Sequence, residues 1–239
     1  MTAQPTPSLS PSVKSITFYL DFISPFAWLA LQRLPEVLRG ISYSLDYRPV
    51  VFGAMLKHHG QLGPAEIDPK RDWTYRQVLW LADSLGVPLQ MPSVHPFNPL
   101  PLLRMAVAAA PAHAPGAPSR WVCETVFRHV WEGGLEALDP ERLQALEAAL
   151  EPQRALRGEG AYNDAEAIKA ELKTNTDQAM AEGVFGVPTF VVDGKLFWGL
   201  DALPMLRAYL LGEPWFAGPA WDSVGDVRVG VARRTRSML

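Results

Sequence analysis

The chain has almost no cysteine. Cys123 is the one thiol among 239 residues, which excludes an intramolecular disulfide, a zinc site of paired cysteines and a Cys-x-x-Cys redox motif. Usage this low fits a cytoplasmic protein. Neither sign of charge dominates: 22 Lys and Arg stand against 25 Asp and Glu, a net of −3. That balance gives no footprint for nucleic acid or an anionic membrane. No stretch approaches the ~18 apolar residues of a membrane span. Residues 1–14, rich in Ser, Thr and Pro, lack the layout of a signal peptide and read as a floppy arm. His58 and His59 are adjacent, so on a helix they point roughly 100° apart. His95, His113 and His129 stand in separate segments without carboxylates at ligand spacing, so no metal site is expected. A glycine-rich phosphate loop and a Gly-x-Ser-x-Gly elbow are both missing.

What is present is enough apolar material for a sizeable core: 48% of residues are hydrophobic, despite abundant glycine and proline. Three blocks emerge. In residues 15–52, Ile16-Thr17-Phe18-Tyr19-Leu20-Asp21-Phe22 is β-branched and aromatic, as a buried strand requires. Ser24-Pro25 then opens a helix, with Ser as N-cap and Pro at the first helical position. Pro35 should kink or restart it. Ile41, Tyr43, Leu45 and Tyr47 alternate with polar residues and give a second strand, parallel to the first. Residues 53–183 carry almost no strand signal and read as an inserted helical subdomain, with helices over 73–85, 101–110, 119–131, 140–150 and 164–182. Asn163 or Asp164 can cap the last of these. Residues 184–214 return to β structure. Pro188-Thr189-Phe190-Val191-Val192 and Lys195-Leu196-Phe197-Trp198 flank Asp193-Gly194, the pair a type I′ hairpin turn needs, and a helix follows over 202–211. Residues 215–239, broken by Gly and Pro and ending with Arg228, Arg233, Arg234 and Arg236, read as a solvated tail. The order predicts an α/β, thioredoxin-like sheet with a large all-helical insertion.

Three positions draw attention locally. Ser24 lies where a strand meets a helix N-terminus, a place that stabilises an anion, although capping alone would explain it. Val187-Pro188 opens a strand after Gly186 and can be cis or trans. Asp201 precedes a helix, where capping is its natural task and binding of a ligand ammonium the alternative. Trp73, Trp80, Trp121 and Trp131 lie on predicted helices and are expected in the core or a pocket wall.

Six segments in order resemble one family. Phe18-Tyr19-Leu20-Asp21-Phe22-Ile23-Ser24-Pro25-Phe26 resembles the active-site opening of the 2-hydroxychromene-2-carboxylate isomerases, DsbA-like proteins close to kappa-class glutathione transferases. Gly53-Ala54-Met55-Leu56-Lys57 is similar to a Gly-x-x-x-Lys segment of that family. Gly63-Pro64-Ala65 through Pro69-Lys70-Arg71, and His95-Pro96-Phe97-Asn98-Pro99-Leu100, resemble its next two loops. Gly183-Val184-Phe185-Gly186-Val187-Pro188-Thr189-Phe190 resembles its cis-proline segment, and Gly199-Leu200-Asp201 the loop that holds the γ-glutamyl end of glutathione.

The resemblance implies glutathione as cofactor, its thiolate favoured by Ser24, its cysteinyl unit on Val187 ahead of Pro188, and its γ-glutamyl end on Leu200 and Asp201. It implies an aromatic small-molecule substrate, with Lys57 and Asn98 as candidates for its carboxylate and carbonyl, and a homodimer. The borrowed thiolate would add to a conjugated double bond, allow rotation and leave again. Two departures stand out: Phe26 replaces a tyrosine common in relatives, and His58-His59-Gly60-Gln61 lacks a Gly-Asn pair. A kappa-type transferase or peroxidase and a non-catalytic thioredoxin-like binding module are the competing readings. Disulfide oxidoreduction is excluded, because Ser24 and Ala27 stand where two cysteines would be required. Cys123 reads as a small buried residue.

Overall fold

The computed structural model describes residues 13–155, 164–228 and 230. The expected arm, apart from Val13 and Lys14, lies outside these residues, as do Asn163, Arg233, Arg234 and Arg236.

Strand β1 (Lys14–Leu20) is followed by helix α1 (Pro25–Val37) and strand β2 (Tyr43–Pro49). Helices α2 (Phe52–His58), α3 (Asp68–Leu85), α4 (Leu100–Ala108), α5 (Arg120–Trp131), α6 (Pro140–Ala155) and α7 (Ala165–Ala181) come next. Strands β3 (Thr189–Val192) and β4 (Lys195–Trp198), then α8 (Leu203–Leu210) and the single turn α9 (Pro219–Asp222), complete the described order. The sheet order is β2-β1-β3-β4, with β1 and β2 parallel and the other neighbours antiparallel. This is the expected thioredoxin-like α/β layout.

Central β1 is covered on both faces, as its unbroken apolar run requires. Ile16, Phe18 and Leu20 enter the main core, where Phe18 stacks on Phe190 at 4.5 Å. Tyr19 faces a smaller cluster with Met55, Ala179 and Val184, supplied by α2, α7 and the turn after α7. The main core contains both sheet residues and insert residues such as Leu103, Phe127 and Leu150. Two indoles reinforce that continuity: Trp28 Nε1 donates to the Pro88 carbonyl at 2.9 Å, and Trp131 Nε1 to the Phe22 carbonyl at 3.0 Å.

Several local expectations need correction. Helix α1 does not restart at Pro35; it runs on as one element to Val37. Proline has no N–H to offer the carbonyl four residues earlier, and that carbonyl, on Leu31, instead accepts from Arg120 Nη2 at 3.1 Å. Helix α2 was not foreseen, for it is short and has no side-chain cap. Packing of Met55 and a bond from Phe52 N–H to Asp21 Oδ2 hold it. Asp164 does cap α7, accepting from Glu166 N–H and Ala167 N–H. Trp131 is buried, but Trp73, Trp80 and Trp121 are at least half exposed, so only one of the four belongs to the core. The described start of the expected tail is not solvated throughout. Phe216 is buried, and Phe216 and Trp221 pack on Phe197 of β4. Aromatic content there outweighs the Gly and Pro breaks.

The hairpin turn is as the sequence demands, with Asp193 and Gly194 both at positive φ. Among the described residues no helix is long and apolar enough to cross a membrane.

Candidate active site

A cavity of about 540 Å³ opens where the end of β1, the start of α1 and the turn before β3 meet α2, α3 and the loop ahead of α4. That volume lies within the range of small-molecule sites.

The turn from β1 to α1 forms one wall. Asp21 carbonyl accepts from Ser24 N–H at 3.0 Å, which folds the chain back and sets Ser24 at the N-cap. The Ser24 hydroxyl accepts from Ala27 N–H at 3.3 Å and lines the cavity. Accepting that bond leaves its own hydrogen for a ligand, at the positive end of a thirteen-residue helix. Both local readings of Ser24 are thus compatible: it caps the helix and faces the cavity.

Gly186 and Val187 line the same wall, and the Val187-Pro188 peptide is cis. The β1–β3 ladder begins at Thr189, so the Val187 main chain lies just outside the sheet's hydrogen bonding. Gly186 has no room for a side chain. A Cβ there would meet Trp198 Nε1 at 2.7 Å. Trp198 and Phe185, rings 4.8 Å apart, form an exposed aromatic rim to the cavity.

The facing wall belongs to elements between β2 and β3. Phe52, Gly53 and Leu56 of α2, Lys70, Thr74 and Tyr75 of α3, and His95 and Phe97 of the following loop line it. Tyr75 Oη is 2.7 Å from His95 Nδ1, and His95 Nε2 is 2.9 Å from the Ile23 carbonyl. Burial holds the His95 ring below the usual histidine range and the Tyr75 phenol above its own. Between the walls lies Asp21, wholly buried, its two oxygens accepting from Ile23 N–H and Phe52 N–H. Desolvation pushes its carboxyl up to about 7, against the lowering effect of these bonds.

Of the residues read from the sequence, Ser24 and Val187 come together in the cavity. Pro188 is buried behind it, its carbonyl accepting from Gly199 N–H at 2.9 Å. Leu200 and Asp201 form a 3-10 turn after β4, beside the cavity but outside its lining. Asp201 is exposed and caps no helix; its carboxylate lies over Gly199, where a Cβ would collide with Asp201 Oδ1. Lys57 is exposed on α2 and does not line the cavity, whereas Lys70 does. Asn98 is also outside the lining, and its Oδ1 accepts from Leu100 N–H at 3.1 Å at the start of α4. Cys123 is buried in the core, with its thiol pushed well above the ordinary range by desolvation. It cannot serve as a nucleophile there.

Asp21, Tyr75, His95, Phe185 and Trp198 also line the site, although little in the sequence marks them. The signals were weak: an acidic residue ending an apolar strand, and a histidine preceding proline, with no partner in register.

A family model for the DSBA-like thioredoxin domain matches residues 15–211. A 2-hydroxychromene-2-carboxylate isomerase of Sphingobium xenophagum is 30% identical over 211 residues, covering 83% of this chain and 98% of that relative. A glutathione S-transferase kappa 1 of Rattus norvegicus is 25% identical over 222 residues, covering 88% and 96%. The solved structure of a 2-hydroxychromene-2-carboxylate isomerase superposes with a TM-score of 0.63 at 24% identity, over 85% of this chain and 97% of that one.

Proposed function

From a chain that belongs to the DsbA-like thioredoxin family, in the branch holding 2-hydroxychromene-2-carboxylate isomerases and kappa-class glutathione transferases, we propose a glutathione-dependent isomerase. Its substrates are 2-hydroxychromene-2-carboxylate-like intermediates of aromatic breakdown. The observation that carries this reading is Ser24: a hydroxyl at a helix N-terminus in the cavity lining, on the same wall as an unladdered Val187 main chain, in a protein whose own thiol is buried elsewhere. Glutathione, when bound, supplies a thiolate that adds reversibly to a conjugated double bond.

The residues fit such a group. The Ser24 hydroxyl donates to an anionic sulfur, and the helix dipole favours the same charge. Val187 N–H and carbonyl offer an extended peptide the strand-like pairing that the sheet leaves unused. In this reading Leu200 and Asp201, which follow the Trp198 end of β4, take the peptide ammonium. The apolar wall and the Phe185–Trp198 rim suit a planar aromatic acid. Lys70 takes the role of carboxylate partner in this reading, since Lys57 and Asn98 lie outside the lining.

Calorimetry with glutathione tests the binding half; the expected dissociation constant is micromolar to millimolar, about −8 to −4 kcal/mol. Absence of binding at several times the upper limit removes the reading. With binding shown, the ultraviolet change of a hydroxybenzylidenepyruvate equilibrating with its hydroxychromene establishes isomerisation. Conjugation of glutathione to an electrophile without isomerisation establishes a kappa-type transferase instead.

A further inference from the structure

The cavity contains a hydrogen-bonded pair to which the addition chemistry assigns no task. Tyr75 Oη lies 2.7 Å from His95 Nδ1 and 2.9 Å from the His95 main-chain carbonyl, while His95 Nε2 lies 2.9 Å from the Ile23 carbonyl. A carbonyl only accepts, so Nε2 carries the hydrogen and Nδ1 of the neutral ring is an acceptor. Tyr75 therefore donates to Nδ1, and its oxygen lone pairs are left for a donor in the cavity. The imidazole is held in orientation by the rings of Phe97 and Trp131, 6.0 and 5.5 Å away.

We propose that Tyr75 and His95 form a hydroxyl-binding subsite and proton relay, which takes the hydroxyl proton of a cyclic hemiketal ligand and returns it to the ring oxygen. The ligand's identity rests on the isomerase reading; the subsite does not.

A 2-hydroxychromene carries a hydroxyl and a ring oxygen on the same carbon. Opening the ring breaks the hydroxyl O–H and the ring C–O bond, and forms a ketone C=O and a phenol O–H. No oxidant or reductant is required, only the transfer of a proton from one oxygen to the other. In the first half the ligand hydroxyl passes its proton to Tyr75 Oη as the Tyr75 hydrogen moves to His95 Nδ1. In the second half the Nδ1 proton returns to Tyr75 Oη as the Tyr75 hydrogen passes to the phenol oxygen.

The second acceptor near Tyr75 is what makes the intermediate state tenable. Once Nδ1 is protonated it donates to Tyr75 Oη, and the new Tyr75 hydrogen turns to the His95 carbonyl. Nε2–H stays on the Ile23 carbonyl throughout. Each hydrogen has a partner in both states, so no buried donor is orphaned. Tyr75 is the catalytic residue and His95 acts through it, as a positioning residue and proton store. The charged and titratable groups sharing the surroundings are Asp21 at the end of β1, Glu66 and Lys70 in the cavity lining, and Arg71 and Asp72 near Tyr75 on α3. Tyr75 also supplies, from another element, a phenolic hydroxyl in a cavity where Phe26 has none.

The test uses the intact protein with trans-2-hydroxycinnamate and its methyl ether as calorimetric probes, glutathione being present. The free hydroxyl should bind at least about tenfold more tightly than the ether, and Tyr75→Phe should erase that preference. The preference should also fall as the pH is lowered through the His95 titration, because protonated Nδ1 then occupies the Tyr75 oxygen. Equal binding of the two probes, or a preference that survives Tyr75→Phe, overturns the subsite. In turnover of a hydroxychromene, Tyr75→Phe should lower kcat about 100-fold and raise KM about tenfold, with glutathione affinity within about threefold. His95→Asn keeps an acceptor for Tyr75 but cannot hold a proton. It should retain the hydroxyl preference and lose the acid limb of the kcat profile. If Tyr75→Phe does not fold, His95→Asn decides: an unchanged limb overturns the relay. A wild-type protein that shows the hydroxyl preference but opens no ring removes the isomerase reading and leaves the subsite standing.

Discussion

The two walls of the cavity are made of different material. One consists of backbone turns: the Asp21–Ser24 reversal, the cap of α1 and the Gly186-Val187-Pro188 turn, all anchored to central β1. The other consists of side chains, Tyr75, His95, Phe97 and Lys70, carried on elements between β2 and β3. A turn next to a buried strand can hold a nucleophile's charge in the same place whatever the ligand. A wall of side chains can be re-cut without touching the sheet. In the proposed reading, anion stabilisation falls to the first wall and substrate choice to the second.

The comparison breaks most severely at Ser24. Ser24→Ala should lower kcat/KM by about 100-fold, in the range found for loss of one donor to a developing anion, while costing only about 1 kcal/mol as a lost cap. Turnover assays and urea denaturation of the same preparation separate the two effects. A loss of both in equal proportion would reduce Ser24 to a cap.

Asp21 joins the walls, with one oxygen on the turn and the other on the start of α2. Its folded-state carboxyl is pushed up from 3.8 to about 7, so protonation is easier in the folded than in the unfolded chain. Its contribution to stability is therefore full below the unfolded pKa, falls as the pH rises through about 7, and is level above. Asp21→Asn removes that dependence and turns an amide NH₂ toward one of two backbone donors, a mismatch costing about 1–3 kcal/mol. Denaturation at about pH 5 and about pH 8 should show a larger loss at the lower pH. An equal loss at both would mean that Asp21 stays ionised.

The smallest effect sharpens the second wall. Lys70→Met should raise KM for an aromatic carboxylate several-fold, the worth of about 1 kcal/mol for a partly exposed ion pair, and Lys57→Met should raise it less. Steady-state kinetics at fixed glutathione measure both, and the reverse order would return the carboxylate to α2.

The same division explains what could be read from the residues alone. Ser24-Pro25, Asp193-Gly194 and the apolar run of β1 are local signals, because caps, turns and two-sided burial act on neighbours in the chain. Val187 was reachable through its place ahead of a proline opening a strand. Tyr75 was not. On α3 it has the same standing as Trp73 and Trp80, which point outward, and only the approach of the loop at His95 gives it a partner twenty residues away. Likewise Lys57 and Lys70 differ in which way their helices turn them, a property fixed by packing. The short helix α2 shows the same limit, for tertiary bonds to Asp21 and burial of Met55 stabilise what propensity does not.

The stitches between sheet and insert have an evolutionary consequence. Arg120 on Leu31, Trp131 on Phe22 and Trp28 on Pro88 each complete a polar group of one half with an atom of the other. An insert lifted out whole would orphan two buried carbonyls and an indole N–H, so it is not a cassette that can be exchanged between scaffolds. Side chains around the cavity can change one at a time with these bonds intact; the helical segment cannot be removed whole without breaking them.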